Sequence, residues 1–135
     1  MDLIGYIGVA AVLGLAAIGS GIGAGIAGQA AIGAWKRNYM ANKPASFLLV
    51  VFAGAPLTQT IYGFIVMNTM KASSIDGLFK LGIGVLCGAA IGYSAVAQGK
   101  AGGVAFGLEG LAALEKAGDV GGHGGKPSLP NPAQA

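Results

Sequence analysis

Three long apolar segments alternate with short charged loops along this chain of 135 residues. Residues 3–35, 44–70 and 81–99 contain no Asp, Glu, Lys or Arg. A run of about 20 apolar residues is long enough to cross the hydrocarbon core of a bilayer as a helix. The pattern therefore predicts an all-α membrane protein with three transmembrane helices, at about residues 3–39, 45–70 and 78–115.

The two loops differ in charge, and this difference predicts an orientation. The first loop carries Lys36, Arg37 and Lys43 and no acidic residue, whereas the second, residues 71–80, has two lysines and one aspartate. Because cytoplasmic loops are enriched in Lys and Arg, we expect loop 36–43 to be cytoplasmic. The N-terminus and the second loop would then lie outside, in the cell membrane if the chain is prokaryotic.

Composition agrees with a multi-pass membrane protein. Hydrophobic residues make up 54% of the chain and charged residues 10%, against about 25% charged residues in a typical soluble domain. The basic residues are scattered and form no stripe, so we expect no nucleic-acid partner. Cys87 is the single cysteine and cannot form an internal disulfide. The chain begins Met-Asp without a basic segment, so no cleaved signal peptide is predicted.

An internal repeat relates the first and third predicted helices. IGAGIAGQ at residues 22–29 aligns with IGYSAVAQ at residues 91–98. The second helix should then have an equivalent after the third, but no apolar run follows residue 114. The pattern indicates one transmembrane hairpin (residues 3–70) and the first half of another. The Gly- and Pro-rich segment 116–135 is predicted to be disordered.

A glycine-rich string, GSGIGAGIAG at residues 19–28, has two interpretations. GAGIAG matches the G-x-G-x-x-G nucleotide fingerprint, which also needs a preceding strand and an acidic residue about 20 positions later. Neither is predicted here. Glycines four residues apart instead let membrane helices approach closely. The glycines predicted to pack helices are Gly19, Gly21, Gly23, Gly25, Gly88 and Gly92.

The second predicted helix contains PLTQTIYGF near its middle, at residues 56–64. Pro56 has no N–H and leaves backbone carbonyls of the preceding turn without their helical partner. Thr58 and Gln59 place a hydroxyl and an amide oxygen beside those carbonyls, and Tyr62 lies one turn further along. Polar groups at this depth are costly and usually functional, although a lone intramembrane Gln can also simply bond a neighbouring helix.

These oxygens are the ligands that a hard cation accepts in place of water, and Gln98 on the third helix could add another. A desolvated cation also needs a negative charge beside it. None of the three apolar runs contains one. Glu109 and Glu115 lie toward the end of the third helix, where a solvated position is favoured.

Taken together, these residues resemble a known family, the proteolipid of V-type and archaeal A-type ATPases, which is the c or K subunit of the membrane rotor ring. The resemblance rests on the glycine-rich first helix, the short basic loop, the string P-x-T-Q-x-x-Y-G-F and AQGK at residues 97–100, and it covers about residues 4–114. It implies a ring-forming, double-hairpin fold that lacks its fourth helix here, through truncation or a shifted reading frame.

The resemblance also implies a midplane site for Na⁺ or H⁺, which is transported cargo, and no cofactor. Thr58 and Gln59 match ligand side chains, Ala55 matches a backbone carbonyl ligand, Tyr62 matches the hydroxyl that closes the site, and Gln98 matches an amide ligand. The family's essential carboxylate lies on the fourth helix, and no residue of this chain matches it.

The implied role is non-catalytic, because ATP chemistry belongs to other subunits of the complex. The expected partners are further copies of the chain in a ring, the stator a or I subunit, and the central stalk at loop 36–43. The alternatives are a structural, glycine-packed membrane oligomer or passive pore, and a truncated proteolipid that does not transport ions.

Overall fold

The computed structural model describes residues 3–44 and 46–121, and every regular element there is helical. The elements are α1 (Leu3–Met40), α2 (Leu48–Ala53), a 3₁₀ turn (Ala55–Leu57), α3 (Thr58–Ala72) and α4 (Gly77–Gly121). Within the described residues, three segments are long and apolar enough to cross a membrane: Leu3–Met40, Leu48–Ala72 and Gly77–Leu108. The predicted class, an all-α membrane protein, is confirmed.

The turn after α1 begins where the sequence predicts it. Asn42 adopts a left-handed conformation, with φ of 53°, which Asn tolerates better than most residues. The Lys43 amide donates to the Asn38 carbonyl at 2.9 Å and closes the helix end. The chain then reverses, and its next helix begins at Leu48.

The last helix extends further than predicted. α4 continues to Gly121, past residue 116 where the sequence analysis expects a disordered tail to begin. The segment AALEK at residues 112–116 has high helix propensity and lies at the predicted end of the helix. Nothing in the composition of the additional residues 117–121, AGDVG, explains why the helix continues through them. The remainder of the predicted tail, residues 122–135, lies outside the described residues.

The second arm of the hairpin, Leu48–Ala72, is interrupted rather than continuous. α2 ends at Ala53, and a 3₁₀ turn containing Pro56 separates it from α3. Pro cannot donate the hydrogen bond that an uninterrupted α-helix needs at that position. The interruption therefore lies at the predicted proline, near the middle of the span.

Helices α1 and α4 run parallel and touch through their backbones. A Cβ atom added to Gly8 would overlap the backbone at Lys80, and one added to Gly19 would overlap the backbone of Gly92. Gly99 likewise has no room for a side chain against Gly23. Small residues permit such close approach in membrane bundles, so glycine determines the spacing of this helix pair.

Helices α1 and α3 run antiparallel along a second stripe of α1. Met70 packs in a buried cluster with Val9 and Val12. A Cβ atom on Gly63 would meet the Ala16 side chain. Further along, Gly23 faces the Pro56 ring. The same offset therefore holds at two facing pairs, Gly63 with Ala16 and Pro56 with Gly23.

Polar contacts hold the two ends of the bundle. At the end carrying loop 36–43, Trp35 Nε1 donates to the Ser46 carbonyl at 3.0 Å, and Arg37 donates to the Gly107 carbonyl at 3.3 Å. At the other end, buried Lys80 donates through Nζ to the Ser73 carbonyl at 2.7 Å, where α3 ends. Between the two ends, large apolar side chains such as those of Leu86 and Ile61 face outward, as a lipid-facing surface requires.

Candidate ion-binding site

The predicted site residues lie in one layer about halfway along the bundle. The layer comprises Ala55, Thr58, Gln59, Tyr62 and Gln98. A Cβ atom added to Gly23 of α1 would meet both the Ala95 backbone and the Pro56 ring, and Gly99 packs on the Gly23 backbone. This contact fixes the depth at which the interrupted arm meets both other spans. The layer lies between the charged loops, within the apolar spans, where polar atoms are costly.

Thr58 and Ala55 form one polar pair of the layer. The Thr58 hydroxyl donates to the Ala55 carbonyl oxygen at 2.8 Å. Both residues are exposed on the surface of the bundle. The Ala55 carbonyl also accepts from the Thr58 backbone N–H, so both of its lone pairs have a donor. The Thr58 hydroxyl oxygen keeps its own lone pairs, and these can serve a cation at the bundle surface.

Gln59 follows Thr58 in α3 but is buried in the bundle. Its side chain is 9% exposed and lies on the α3 surface that packs against α1. An amide in such a place must find partners, because an unsatisfied buried polar group is expensive. Gln59 therefore brings an oxygen acceptor and an N–H donor to the inner side of the layer.

Gln98 and Tyr62 are both exposed. Gln98 precedes Gly99, which packs on Gly23, so it lies at the depth of the layer on α4. Tyr62 is one turn beyond Thr58 on α3 and is 57% exposed. Among the described residues no hydrogen bond joins Gln98 to α3. Among the described residues, the structure thus joins Ala55 and Thr58 by a hydrogen bond and shows none that links Gln59, Tyr62 or Gln98 to them.

The layer provides oxygen atoms but no negative charge. The described spans contain no cluster of three or more His, Cys, Asp or Glu residues that could hold a metal ion. Carbonyl, hydroxyl and amide oxygens suit a hard monovalent or divalent cation, not a soft transition metal. A protonated carboxyl group could equally donate to them. In both cases the balancing charge must come from a group outside this layer.

The predicted packing glycines fall on different surfaces. Gly19, Gly23, Gly88 and Gly92 lie in the contact between α1 and α4, where a Cβ atom would overlap the opposing helix. Gly21 and Gly25 of the same string have open space around them. The second pair belongs to an outward stripe of α1 that is free of side chains, made of Gly14, Gly21, Gly25 and Gly28.

Ser20 is a polar residue of the layer that the sequence analysis did not select. It is 1% exposed, and its hydroxyl has no hydrogen-bond partner among the described residues. It is the only Ser or Thr in α1. Its isolated hydroxyl within an apolar run could have identified Ser20 from the sequence. Because serine is small and stands among glycines, the sequence pattern indicated a packing residue instead.

Comparison with known proteins supports one family. Residues 7–70 match the family model that describes the C subunit of ATP synthase. The A-type ATP synthase subunit K of Methanocaldococcus jannaschii is 35% identical over 102 residues, which cover 72% of this chain and 43% of that protein. No solved structure matches the chain. Both matches support the c/K proteolipid of A/V-type ATPases as the family of this chain, which spans less than half the length of the relative.

Proposed function

We propose that this chain is a rotor-ring proteolipid whose mid-membrane layer helps to carry Na⁺ or H⁺ through a rotary ATPase. The observation that carries the proposal is the Thr58–Ala55 oxygen pair, held at 2.8 Å in a span interrupted by Pro56. A family match over the same hairpin supports it. A purely structural hairpin has no need of an interrupted helix with oxygens at its centre.

The layer acts by replacing water around the ion. Thr58 and Ala55 present oxygens on the outer surface, Gln59 supplies an amide from the inner side, and Gln98 lies at the same depth on α4. Tyr62, exposed beside them, is placed to cover the ion from one side with its hydroxyl. A neutral oxygen shell lowers the cost of leaving water, but a full charge in lipid still needs a partner of opposite charge.

That partner charge comes from a carboxylate outside the three described spans. The resemblance implies a fourth-helix carboxylate, contributed by a further segment of the protein or by another chain. Glu109 and Glu115 do not meet the requirement, because both follow Lys100 and lie beyond the layer, toward the charged end of α4. The ion would rotate past lipid with its charge neutralised and exchange in the aqueous half-channels of the stator.

Assembly follows from this role. Further copies of the chain form the ring, the stator a or I subunit contacts its rim, and the central stalk binds loop 36–43 on the cytoplasmic side. The chain has no catalytic residues in this account, since ATP turnover occurs in the soluble head. Between the two ions we favour Na⁺, because Thr58, Gln59 and Gln98 together supply three side-chain oxygens.

The test is a Gln59→Leu variant in membranes where this chain is assembled with the rest of its ATPase. We expect the ring to assemble, as seen by its mass on native gels, while ATPase activity loses its dependence on Na⁺ and pH. Gln29→Leu is the matched control, because Gln29 is an exposed glutamine of α1 that lies beyond Gly23 toward loop 36–43. That variant should keep wild-type ion dependence.

The structural-oligomer alternative predicts the reverse pattern. If Gln59 only bonds helices together, its replacement by Leu would weaken the oligomer and leave any ion dependence unchanged. Intact ion dependence in Gln59→Leu would therefore remove Gln59 from the site.

A further inference from the structure

The contact between α1 and α3 consists of pairs of facing residues, here called rungs. The register of the two helices assigns Ser20 and Gln59 to the same rung. Gly63 lies against Ala16, and Pro56 lies against Gly23. Gln59 is four residues before Gly63, and Ser20 is four residues after Ala16. Because the two helices are antiparallel and the same offset holds at both pairs, Gln59 and Ser20 face each other.

Both side chains of this rung are polar, and both are buried. Gln59 is 9% exposed and Ser20 is 1% exposed. The Ser20 hydroxyl has no partner within the described part of the chain, which leaves a costly unsatisfied group in an apolar interior. The flanking rungs are Ala16 with Gly63 and Gly23 with Pro56, and these provide no side-chain hydrogen-bonding group. The register thus places Gln59 opposite the Ser20 hydroxyl, and in the structure no hydrogen bond yet joins the two side chains.

A glutamine amide that binds a cation through its oxygen needs an acceptor for its NH₂ group, and the Ser20 hydroxyl can provide one. A glutamine side chain has an oxygen acceptor at one position and an NH₂ donor at the other. When the oxygen faces an ion, the NH₂ group faces away and needs an acceptor. A serine hydroxyl offers lone pairs to that N–H and can direct its own proton to a carbonyl of its helix.

We infer that Ser20 is a positioning residue, whose Oγ accepts a hydrogen bond from the Gln59 side-chain amide and so fixes the rotamer in which Gln59 Oε1 faces the ion. The role rests on the proposed ion-carrying function of the layer. Without Ser20 the amide can flip, and its NH₂ group then repels the cation. Ser20 acts through Gln59 and does not itself touch the ion.

The hydrogen bond is tested first, independently of transport. The full chain is labelled with ¹⁵N-glutamine in lipid bilayers, and deuterium exchange of the side-chain amides is followed by NMR. We expect Ser20→Ala to speed exchange at Gln59 by about threefold to tenfold, since a net hydrogen bond is worth about one factor of ten or less. Gln29 and Gln98, which are exposed, serve as internal controls and should not change.

A matched variant separates this role from packing. Ala16→Gly removes a methyl group from the neighbouring rung without touching either polar group. If Ser20 is only a small packing residue, Ala16→Gly should disturb the Gln59 amide at least as much as Ser20→Ala does. An unchanged Gln59 signal in Ser20→Ala would overturn the inference.

The consequence for ions is tested in the assembled ATPase. Ser20→Ala should raise the Na⁺ concentration for half-maximal activity about threefold to tenfold, with the maximal rate unchanged, by the same hydrogen-bond magnitude. In Gln59→Asn the shorter side chain places the amide out of reach of both the ion and Ser20. In that background Ser20→Ala should have no further effect on the Na⁺ concentration for half-maximal activity, because the effects of two residues that act through one another do not add. Additive losses would contradict the positioning role.

Failure of the proposed function and failure of the Ser20–Gln59 inference give different results. A wild-type complex without any Na⁺ or pH dependence would refute the proposed function and, with it, the orientation of Gln59 toward an ion. The amide exchange measurement would still decide whether the hydrogen bond between Ser20 and Gln59 exists.

Discussion

At the scale of single residues, one turn of α3 carries an exposed polar side chain and a buried one next to each other. Thr58 is exposed and its hydroxyl donates to the Ala55 carbonyl, whereas Gln59 is buried on the α3 surface that packs against α1. Consecutive residues on a helix point about 100° apart, so one dipeptide supplies both an outer and an inner oxygen. At the interruption the backbone forms a 3₁₀ turn in which the Thr58 N–H donates to the Ala55 carbonyl, and Ala55 and Thr58 both lie exposed there.

The Thr58 hydroxyl can be tested against a matched threonine. Thr58→Val keeps the shape of the side chain and removes the oxygen, so we expect weaker ion binding, by roughly tenfold if a hydrogen-bonding ligand worth about 1.5 kcal/mol is lost. Thr69 makes the same kind of bond, to the Ile65 carbonyl at 3.0 Å, but lies near the end of α3. The measurement is the ion dependence of ATPase activity.

Thr69→Val serves as the control and should leave ion dependence at its wild-type value. Equal effects of the two variants would mean that threonine hydroxyls here serve the helix backbone alone, and Thr58 would no longer be an ion ligand.

At the scale of helices, glycine has two separate uses on α1. Gly19 lies against the Gly92 backbone, whereas Gly21 faces open space. The glycine spacing predicted that both Gly19 and Gly21 pack against another helix, because spacing alone does not distinguish the two positions. Their different surroundings depend on which stripe α4 covers, and that is decided by the long-range contact between the first and last spans.

This difference predicts opposite effects of one substitution. Gly19→Ala should destabilise the chain by about 1–3 kcal/mol, because overpacking separates α1 from α4. Gly21→Ala should not destabilise it and should add about 0.5–1 kcal/mol, since alanine restricts the unfolded chain more than glycine does. Unfolding of the chain in detergent micelles by added dodecyl sulfate, followed by circular dichroism, measures both.

If Gly21→Ala proves as damaging as Gly19→Ala in the same assay, the outward stripe is not open in the isolated chain. The parallel packing of α1 on α4 would then need revision.

At the scale of the whole molecule, sequence patterns predicted much of the fold and less of the site. The three spans follow from runs without charge, and Pro56 marks the break in the second arm. The patterns could not show that Gln59 faces inward while Thr58 faces outward, because both sit in the same apolar run. Ser20 was missed for a related reason: only the register between α1 and α3 places its hydroxyl opposite an amide.

The orientation of the bundle can be measured through its loops. In a Cys87→Ala background, Asn42→Cys and Ser74→Cys each place one thiol in an exposed loop position. We expect an impermeant maleimide to label Asn42→Cys only in inverted vesicles, because the loop with three basic residues stays cytoplasmic. Ser74→Cys should label only in right-side-out vesicles, and the opposite pair of results would invert the topology.

The central claim is that the layer around Thr58 and Gln59 carries an ion during rotation. The most direct measurement is ATP-driven uptake of ²²Na⁺ and of protons into inverted vesicles, with this chain as the ring protein of the assembled complex. We predict ATP-dependent uptake of one of the two ions, and its loss in Gln59→Leu while the ring stays assembled. Uptake at the wild-type rate in Gln59→Leu, or no uptake of either ion by the wild-type complex, would contradict the claim.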